Sequence, residues 1–289
     1  DDNYKKAIAI DPKHIGAYQN LALLHEKKGH INKALNIAKK VFNFEISHPE
    51  INHSVGLMSL KLENFKEGWK YHEYRWKKSP GKDVIWPFED KPLWSGEEGK
   101  RVALWREQGI GDDIIFLSLV SEVQEMSSSL SVYVDPRLHS LCGRAMPEIN
   151  FVKDIEELKE VDSDYHLPLG SVPGLIRNDI SDFDRTVTGY FKADPQRVET
   201  IRSELGLDGK AVIGISWKSF NTTYSTKSIH LRDMGHIFTG LDIVLVNLQY
   251  GDVDEEIREF KEATGIDVLQ CASVDNREDL DGLAALIEV

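Results

Sequence analysis

A spacing of small residues near the start of the chain constrains its fold more than any other feature. Tyr18, Ala22, His25, Gly29, Ala34 and Ala38 fall on the pattern of two helices joined by a tight turn, with Gly29 where that turn needs a permissive backbone. Ala22 and Ala34 stand where two antiparallel helices approach most closely. A shift of about 34 residues, a known solenoid period, carries Ala22 onto Gly56 and Ala34 onto Gly68. The same shift backwards carries Val41 onto Ala7, and Asp11-Pro12 then closes a preceding, truncated unit. Such a unit buries its apolar face only against its neighbours, so further units are expected upstream of Asp1.

Residues 1–78 therefore resemble tetratricopeptide repeats, with Asn52 where the preceding unit has the aromatic Tyr18. The last helix is expected to end in Gly68-Trp69 through Arg75-Trp76. Trp69, Tyr71 and Trp76 admit two readings, a ligand platform or the apolar seam that docks the repeats on the next domain. Residues 79–98, with Trp86-Pro87 and Lys91-Pro92-Leu93-Trp94, read as a linker pinned to a surface by its tryptophans.

After Gly99 the periodicity changes to strands alternating with helices, which predicts parallel sheets with crossover helices. Strands are expected at Arg101–Trp105 and Leu130–Val134, with weaker ones at Phe151-Val152 and Tyr165–Leu167. Helices are expected from Asp113 to Met126 and from Pro136 to Arg144. A second such unit has strands at Ala211–Ser216, Ile243–Leu248 and Asp267–Cys271, and helices over Glu255–Thr264 and from Leu280. The expected domains are repeats over 1–78, a linker over 79–98, one Rossmann-like domain over 99–195 and an incomplete second over 196–289.

Charge and cysteine usage narrow the classes of function. The net charge is −13, yet residues 1–80 hold 14 Lys+Arg against 9 Asp+Glu, so the remainder is strongly acidic. An acidic body argues against nucleic-acid binding. No apolar run is long enough to span a membrane. Cys142 and Cys271 lack metal-ligand spacing and suit a reducing, cytoplasmic setting, where they read as small buried hydrophobes.

The sharpest chemical pattern is Gln108-Gly109-Ile110-Gly111-Asp112-Asp113, directly after the first strand and opening a helix. Two glycines let the backbone come close to a ligand, and a helix start offers free N–H groups. A third glycine at the dinucleotide-fingerprint position is lacking. Two readings stay open on spacing alone: a site at Asp112, or two aspartates that merely favour a helix start.

This turn resembles the Gly-x-Gly-Asp turn of the ADP-heptose:lipopolysaccharide heptosyltransferases. The chain is more similar still to bacterial proteins that fuse tetratricopeptide repeats to such a domain. The matches run in order along the chain: Gly68, Trp69, Glu73, Arg75 and Trp76; Pro92 to Gly96; Trp105 to Asp112; Pro168 to Pro173; Gly214 to Trp217; and Leu248 to Gly251. The resemblance implies a fold class of α plus α/β, with helical repeats before a GT-B-like Rossmann-type domain and the start of a second. It implies a nucleotide-diphosphate sugar as co-substrate, with the acceptor on the first domain and the donor on the second.

The resemblance makes Asp112 the general base of an inverting transfer, with Gln108, Gly109, Gly111, His166 and Ser171 on the acceptor side. It places the donor diphosphate near Ser216, Lys218, Lys227 and Ser228, around Asn221–Ser225. Each lysine also reads as a solvated loop residue, and His166 and His230 as ordinary hydrogen-bonded histidines. No carboxylate pair with the Asp-x-Asp spacing that metal-dependent transferases use on nucleotide diphosphates is read in the chain, so no metal is expected, and no cofactor beyond the nucleotide-sugar co-substrate. The family's further Gly-rich turn would follow Val289, so this segment by itself is expected to be inactive. The repeats are expected to recruit a protein or glycan acceptor, or another partner. The contrasting reading is a repeat scaffold with a degenerate transferase domain.

Overall fold

Helices α1 (Asp2–Ile10), α2 (Ile15–Lys27), α3 (Ile31–Lys39), α4 (Pro49–Lys61) and α5 (Phe65–His72) form the repeat region of the computed structural model. The structure describes residues 1–77, 86–183, 189–207, 209, 211–219 and 227–289. The period shows in the caps. His14 Nδ1 accepts from the Ala17 N–H at 3.3 Å, and His48 Nδ1 accepts from the Ile51 N–H at 3.5 Å. Gly29 turns the chain at φ 77°, and Glu63 holds the matching turn at φ 60°.

The small residues stand at the close approaches. Ala34 is fully buried, and a Cβ on Gly56 would lie 2.7 Å from the His72 backbone nitrogen. A Cβ on Gly68 would lie 2.6 Å from Leu60 Cδ2. Around these contacts Leu21, Leu35, Ile51, Val55 and Met58 form one core.

The first sheet has the order β3-β2-β1-β4, all parallel, from β1 (Lys100–Trp105), β2 (Ser127–Tyr133), β3 (Asn150–Val152) and β4 (Tyr165–Pro168). The central strand is apolar without alternation and buried from Val102 to Trp105, as a parallel sheet covered on both faces requires. The single helix expected from Asp113 to Met126 is two, α6 (Ile110–Leu117) and α7 (Val120–Met126), separated at Ser118-Leu119. Helix α8 (His139–Ala145) follows a short 3₁₀ turn at Pro136–Leu138. Two short helices complete the stretch, α9 (Ile155–Glu160) and α10 (Pro173–Ile176).

The second sheet is parallel in the order β5-β6-β7, from β5 (Ala211–Ile215), β6 (Ile243–Asn247) and β7 (Val268–Leu269). Its helices are α11 (Pro195–Leu205), α12 (Gly235–Phe238), α13 (Asp254–Thr264) and α14 (Leu280–Glu288). Asp194 caps α11 through the Gln196 and Arg197 N–H groups, and Gly206 ends it at φ 62°.

Contacts divide the chain into two units, Asp1–Val134 with Ile149–Thr188, and Asp135–Glu148 with Gly189–Val289. The repeats and the first sheet thus form one body. Helix α8 belongs to the other, where Arg144 pairs with Asp281 at 2.8 Å.

The aromatic residues at the repeat end form a seam within the first unit. Trp69 Nε1 donates to the Arg177 carbonyl at 2.7 Å, and Tyr71 packs on Phe42. Trp76 packs between Trp86 and Trp105. Of the expected linker, residues up to 85 lie outside the described residues. Beyond them Trp94 is 2% exposed, and Pro92–Trp94 runs along β4 with Leu93 bridged to His166.

Candidate functional site

The loop from Trp105 to Ile110 leaves the C-terminal end of β1, where open parallel sheets place their ligands. Gly109 is the cap of α6 at φ −76° and ψ 164°, and its carbonyl accepts from the Asp112 and Asp113 N–H groups at 3.0 and 3.1 Å. Both aspartates lie in the first turn, where the helix dipole favours negative charge. The cap itself is Gly109.

Three carboxylates surround the turn, and they differ in how they are held. Asp113 is buried and pairs with Arg106 Nε at 2.7 Å. Glu107, whose side chain is 6% exposed, takes a two-pronged fork from Arg75, Nε to Oε2 at 3.0 Å and Nη2 to Oε1 at 2.7 Å. Burial pushes the Glu107 carboxyl up, and the Arg75 guanidinium works against that shift. Asp112 is half-buried, and its carboxylate makes no hydrogen bond or ion pair among the described residues. Its Oδ2 would lie 3.6 Å from a Cβ placed on Gly109. Gly109 and Gly111 are exposed and Gln108 is half-buried, so the tip of the loop is open to an approaching molecule.

His166 and Ser171 are engaged by other side chains of the first unit. His166, on β4, is 2% exposed and sits among Trp86, Phe88 and Trp105. Its Nδ1 accepts from Trp105 Nε1 at 3.1 Å, so the neutral ring carries its proton on Nε2. Burial lowers its pKa, with a backbone hydrogen bond at Lys91 opposing. The Ser171 hydroxyl donates to Glu73 Oε1 at 2.8 Å and accepts from Arg75 Nη2 at 2.7 Å.

In the second unit the loop after β5 is organised by one side chain that sequence reasoning did not single out. Gln249 is 1% exposed, and its Oε1 accepts from Ser216 Oγ, Trp217 N–H and Lys218 N–H at 3.0, 3.1 and 3.0 Å. The only sequence signal was its place in Leu248-Gln-Tyr-Gly251. Glu256, on α13, then accepts from Trp217 Nε1 at 2.6 Å and from Lys218 Nζ. Burial acts to raise the Glu256 carboxyl, but these bonds outweigh it and hold the group low. Ser228 Oγ accepts from the Ser219 N–H at 3.0 Å, and Lys227 beside it is exposed. Asn221–Ser225 lie outside the described residues.

A polar cavity of about 300 Å³ opens at the C-terminal ends of β6 and β7, lined by Asn247, Gln249, Tyr250, Gln270, Asp275 and Asn276 among others. Asn276 Nδ2 donates to the Asn247 and Gln249 carbonyls at 3.1 and 3.2 Å, while its buried Oδ1 has no hydrogen-bond partner among the described residues. Its volume falls at the low end for small-molecule sites, roughly 300–1,000 Å³.

The Asp-x-Asp spacing does occur, which corrects the sequence reading, at Asp162 and Asp164, Asp182 and Asp184, Asp252 and Asp254, and Asp279 and Asp281, the last two being paired with Arg197 and Arg144. Arg101 bonds both members of the first pair, and its hydrogen bonds hold the Asp164 carboxyl down to about 2. Asp182 accepts from the Asn178 and Asp179 N–H groups, and Asp184 lies outside the described residues. Asp254 accepts from Gln270 Nε2 at 2.9 Å. Among the described residues no three His, Cys, Asp or Glu side chains converge as metal ligands would. No described helix is long and apolar enough to cross a membrane.

Comparison with known proteins matches residues 3–36 to the tetratricopeptide repeat family. Over 310 aligned positions the chain is 26% identical to Protein FlbA of Caulobacter vibrioides, covering 98% of this chain and 51% of that protein. The chain therefore spans about half the length of this curated relative. Among solved structures, a glycosyl transferase family 9 protein from Veillonella parvula superposes with a TM-score of 0.46 at 11% identity, over 65% of this chain and 74% of its own. An O-GlcNAc transferase variant from Thermobaculum terrenum superposes with a TM-score of 0.31 at 12% identity, over 96% and 71%. Neither likeness is close enough to assign an activity.

Proposed function

We propose that the whole protein is a glycosyltransferase that moves a sugar from a nucleotide diphosphate to an acceptor hydroxyl with inversion and without a metal. Asp112 carries this reading. Of the three carboxylates around the turn, Asp113 and Glu107 are committed to arginines, and among the described residues Asp112 alone of the three is left for a ligand. As general base it takes the proton of the acceptor hydroxyl while that oxygen attacks the anomeric carbon. The bond from that carbon to the diphosphate oxygen breaks, and the diphosphate leaves with the electron pair. A single displacement inverts the sugar carbon.

On the donor side, Lys227 and Ser228 are exposed beside the β5 loop and would meet the diphosphate, together with Ser216 and Lys218. The polar cavity at the ends of β6 and β7 suits the nucleoside, since its amides offer both donors and acceptors to a base edge. Gln108, Gly109 and Gly111 would line the acceptor's approach. His166 and Ser171, already bonded within the first unit, would act on the acceptor only through the shape of that wall. The repeats would recruit a protein or glycan acceptor.

A second reading, a repeat scaffold with a degenerate transferase domain, draws on the second unit. There Glu256 already holds the Lys218 ammonium and Gln249 holds the Ser216 hydroxyl. Thermal-shift titration of the full-length protein with ADP-, UDP-, GDP- and dTDP-sugars separates the two readings, because no shift with any of them favours the scaffold. Once a donor is found, Asp112→Asn is expected to lower turnover by roughly 10²–10⁴-fold and leave donor binding unchanged. Unchanged turnover overturns the assignment of the base.

A further inference from the structure

Glu73, Arg75 and Glu107, together with Gly170 and Ser171, belong to three of the sequence motifs, and the proposed transfer uses none of them directly. Arg75 lies in the short 3₁₀ turn Glu73–Lys77 that ends the repeats. All five of its guanidinium N–H groups point at acceptors. Nε and one Nη2 hydrogen reach Glu107, the other Nη2 hydrogen reaches Ser171 Oγ, and the Nη1 group reaches Glu73 Oε1 at 2.7 Å and the His72 carbonyl at 3.5 Å. The guanidinium also lies 4.5 Å from the Trp76 ring centroid. Its side chain is 9% exposed and that of Glu107 is 6% exposed.

The other wall of this clamp is tight. A Cβ on Gly170 would fall 2.3 Å from Glu107 Oε1, and the Gly170 backbone bonds the same carboxylate. Glu107 stands two residues before Gly109 in a loop whose tip is open. Deleting Arg75 would leave a carboxylate buried without its partner, and such a group moves toward water or takes up a proton. A Glu107 that moves toward water draws with it the backbone that carries Gly109 and Asp112, and one that takes up a proton no longer has the fork that fixes this backbone.

We propose that Arg75 is a positioning residue for the Gly109–Asp112 turn, acting from the end of the repeats through Glu107. The repeat region thereby sets the placement of the turn. This rests on the transferase reading for its kinetic consequence, but the geometric claim stands apart from it. The fork and the fit against Gly170 are what matter, so a lysine, which keeps the charge and loses the fork, is a poor substitute.

The test uses the full-length protein as wild type, Arg75→Lys, Arg75→Met and Arg75→Met/Glu107→Gln. Amide hydrogen exchange over 106–113 is expected to quicken about tenfold or more in Arg75→Met, with α2 and α3 unchanged. Exchange over 106–113 that stays at the wild-type rate overturns the proposal, as does equal quickening throughout the repeats. With an active donor, kcat is expected to fall about 10²-fold in Arg75→Met while the donor KM holds. Arg75→Lys should fall between wild type and Arg75→Met. The double variant should recover part of the loss, because Glu107→Gln removes the buried charge that Arg75→Met leaves unpaired. A change confined to the donor KM, or a double variant no better than Arg75→Met, overturns it. Quickened exchange in a protein that turns over no sugar leaves the positioning intact and sinks the transferase reading instead.

Discussion

Two loops follow the leading strands of the two sheets, one after β1 and one after β5, and they are held in opposite ways. The β1 loop is fixed by charge from outside its own sheet. Arg75, at the end of the repeats, forks onto Glu107, and inside the loop Arg106 pairs with Asp113. The β5 loop is fixed by a neutral group from the adjacent strand end, Gln249, whose single oxygen gathers three donors. The first arrangement leaves an acidic side chain uncommitted at the open tip. The second puts its nearest cation against Glu256. The first loop depends on the end of the repeats for its partner, whereas the second depends on Gln249 and on Glu256 of α13, both within its own unit. The first loop should therefore answer to changes in the repeats, and the second should not.

The largest effect expected from breaking this contrast is at Gln249. Gln249→Leu leaves three donors without their acceptor, two of them backbone N–H groups, at about 1–3 kcal/mol for a buried one. Chemical denaturation should show a loss of that order, with amide exchange quickened over 216–219 and unchanged over 106–113. Loss in both loops together would erase the distinction.

Acid sharpens the comparison from the other side. Burial lowers the His72 pKa from 6.5 to about 3, with the Arg75 and His53 charges adding to the shift. Among the described residues neither ring nitrogen has a hydrogen-bond partner. The native state therefore favours the neutral ring, and between pH 6.5 and 3 the unfolded chain binds the extra proton. Stability present above pH 6.5 is lost on acidification, by up to about 1.4 kcal/mol per pH unit from this group. Denaturation followed across that window should show the His72→Leu slope reduced by one proton's worth. An identical slope in the variant would assign the acid lability elsewhere.

The smallest effect is at the Lys218–Glu256 pair, whose side chains are 21% and 34% exposed. Glu256→Gln should change stability by no more than about 1 kcal/mol, as for other partly solvated pairs. It should tighten binding of an active nucleotide sugar if Lys218 then turns to the diphosphate. Calorimetric titration that shows weaker binding would mean that the pair orients Lys218 rather than withholding it.

Much of the fold was legible because its signals are local. Ala22, Ala34, Gly56 and Gly68 marked the helix contacts, since a helix pair has room only for small side chains at its closest approach. The apolar run at Val102–Trp105 marked a strand covered on both faces. The break between α6 and α7 was missed because apolar residues continue through it, and periodicity alone carries no stop signal there. At the site, the open glycine turn and Asp112 were legible as a pattern. The identical spacing of Asp112 and Asp113 gave no sign that one would pair with Arg106 and the other would not. His166 had nothing nearby in sequence to announce the tryptophans around it. The Asp-x-Asp pairs were passed over, and Arg101, 61 and 63 residues away from the first pair, binds both its members.

By itself, then, the sequence determined the repeat helices, the strands after Gly99 and the turn that exposes Asp112, because each depends on residues within a few positions of one another. Tertiary structure alone decided which charges are committed. Arg75 lies 32 residues from Glu107 and 96 from Ser171, and the chain holds 48 acidic side chains that compete as partners for an arginine. An ion pair has no sequence period, and its partners are chosen by the packing that brings them within 3 Å of each other and away from water.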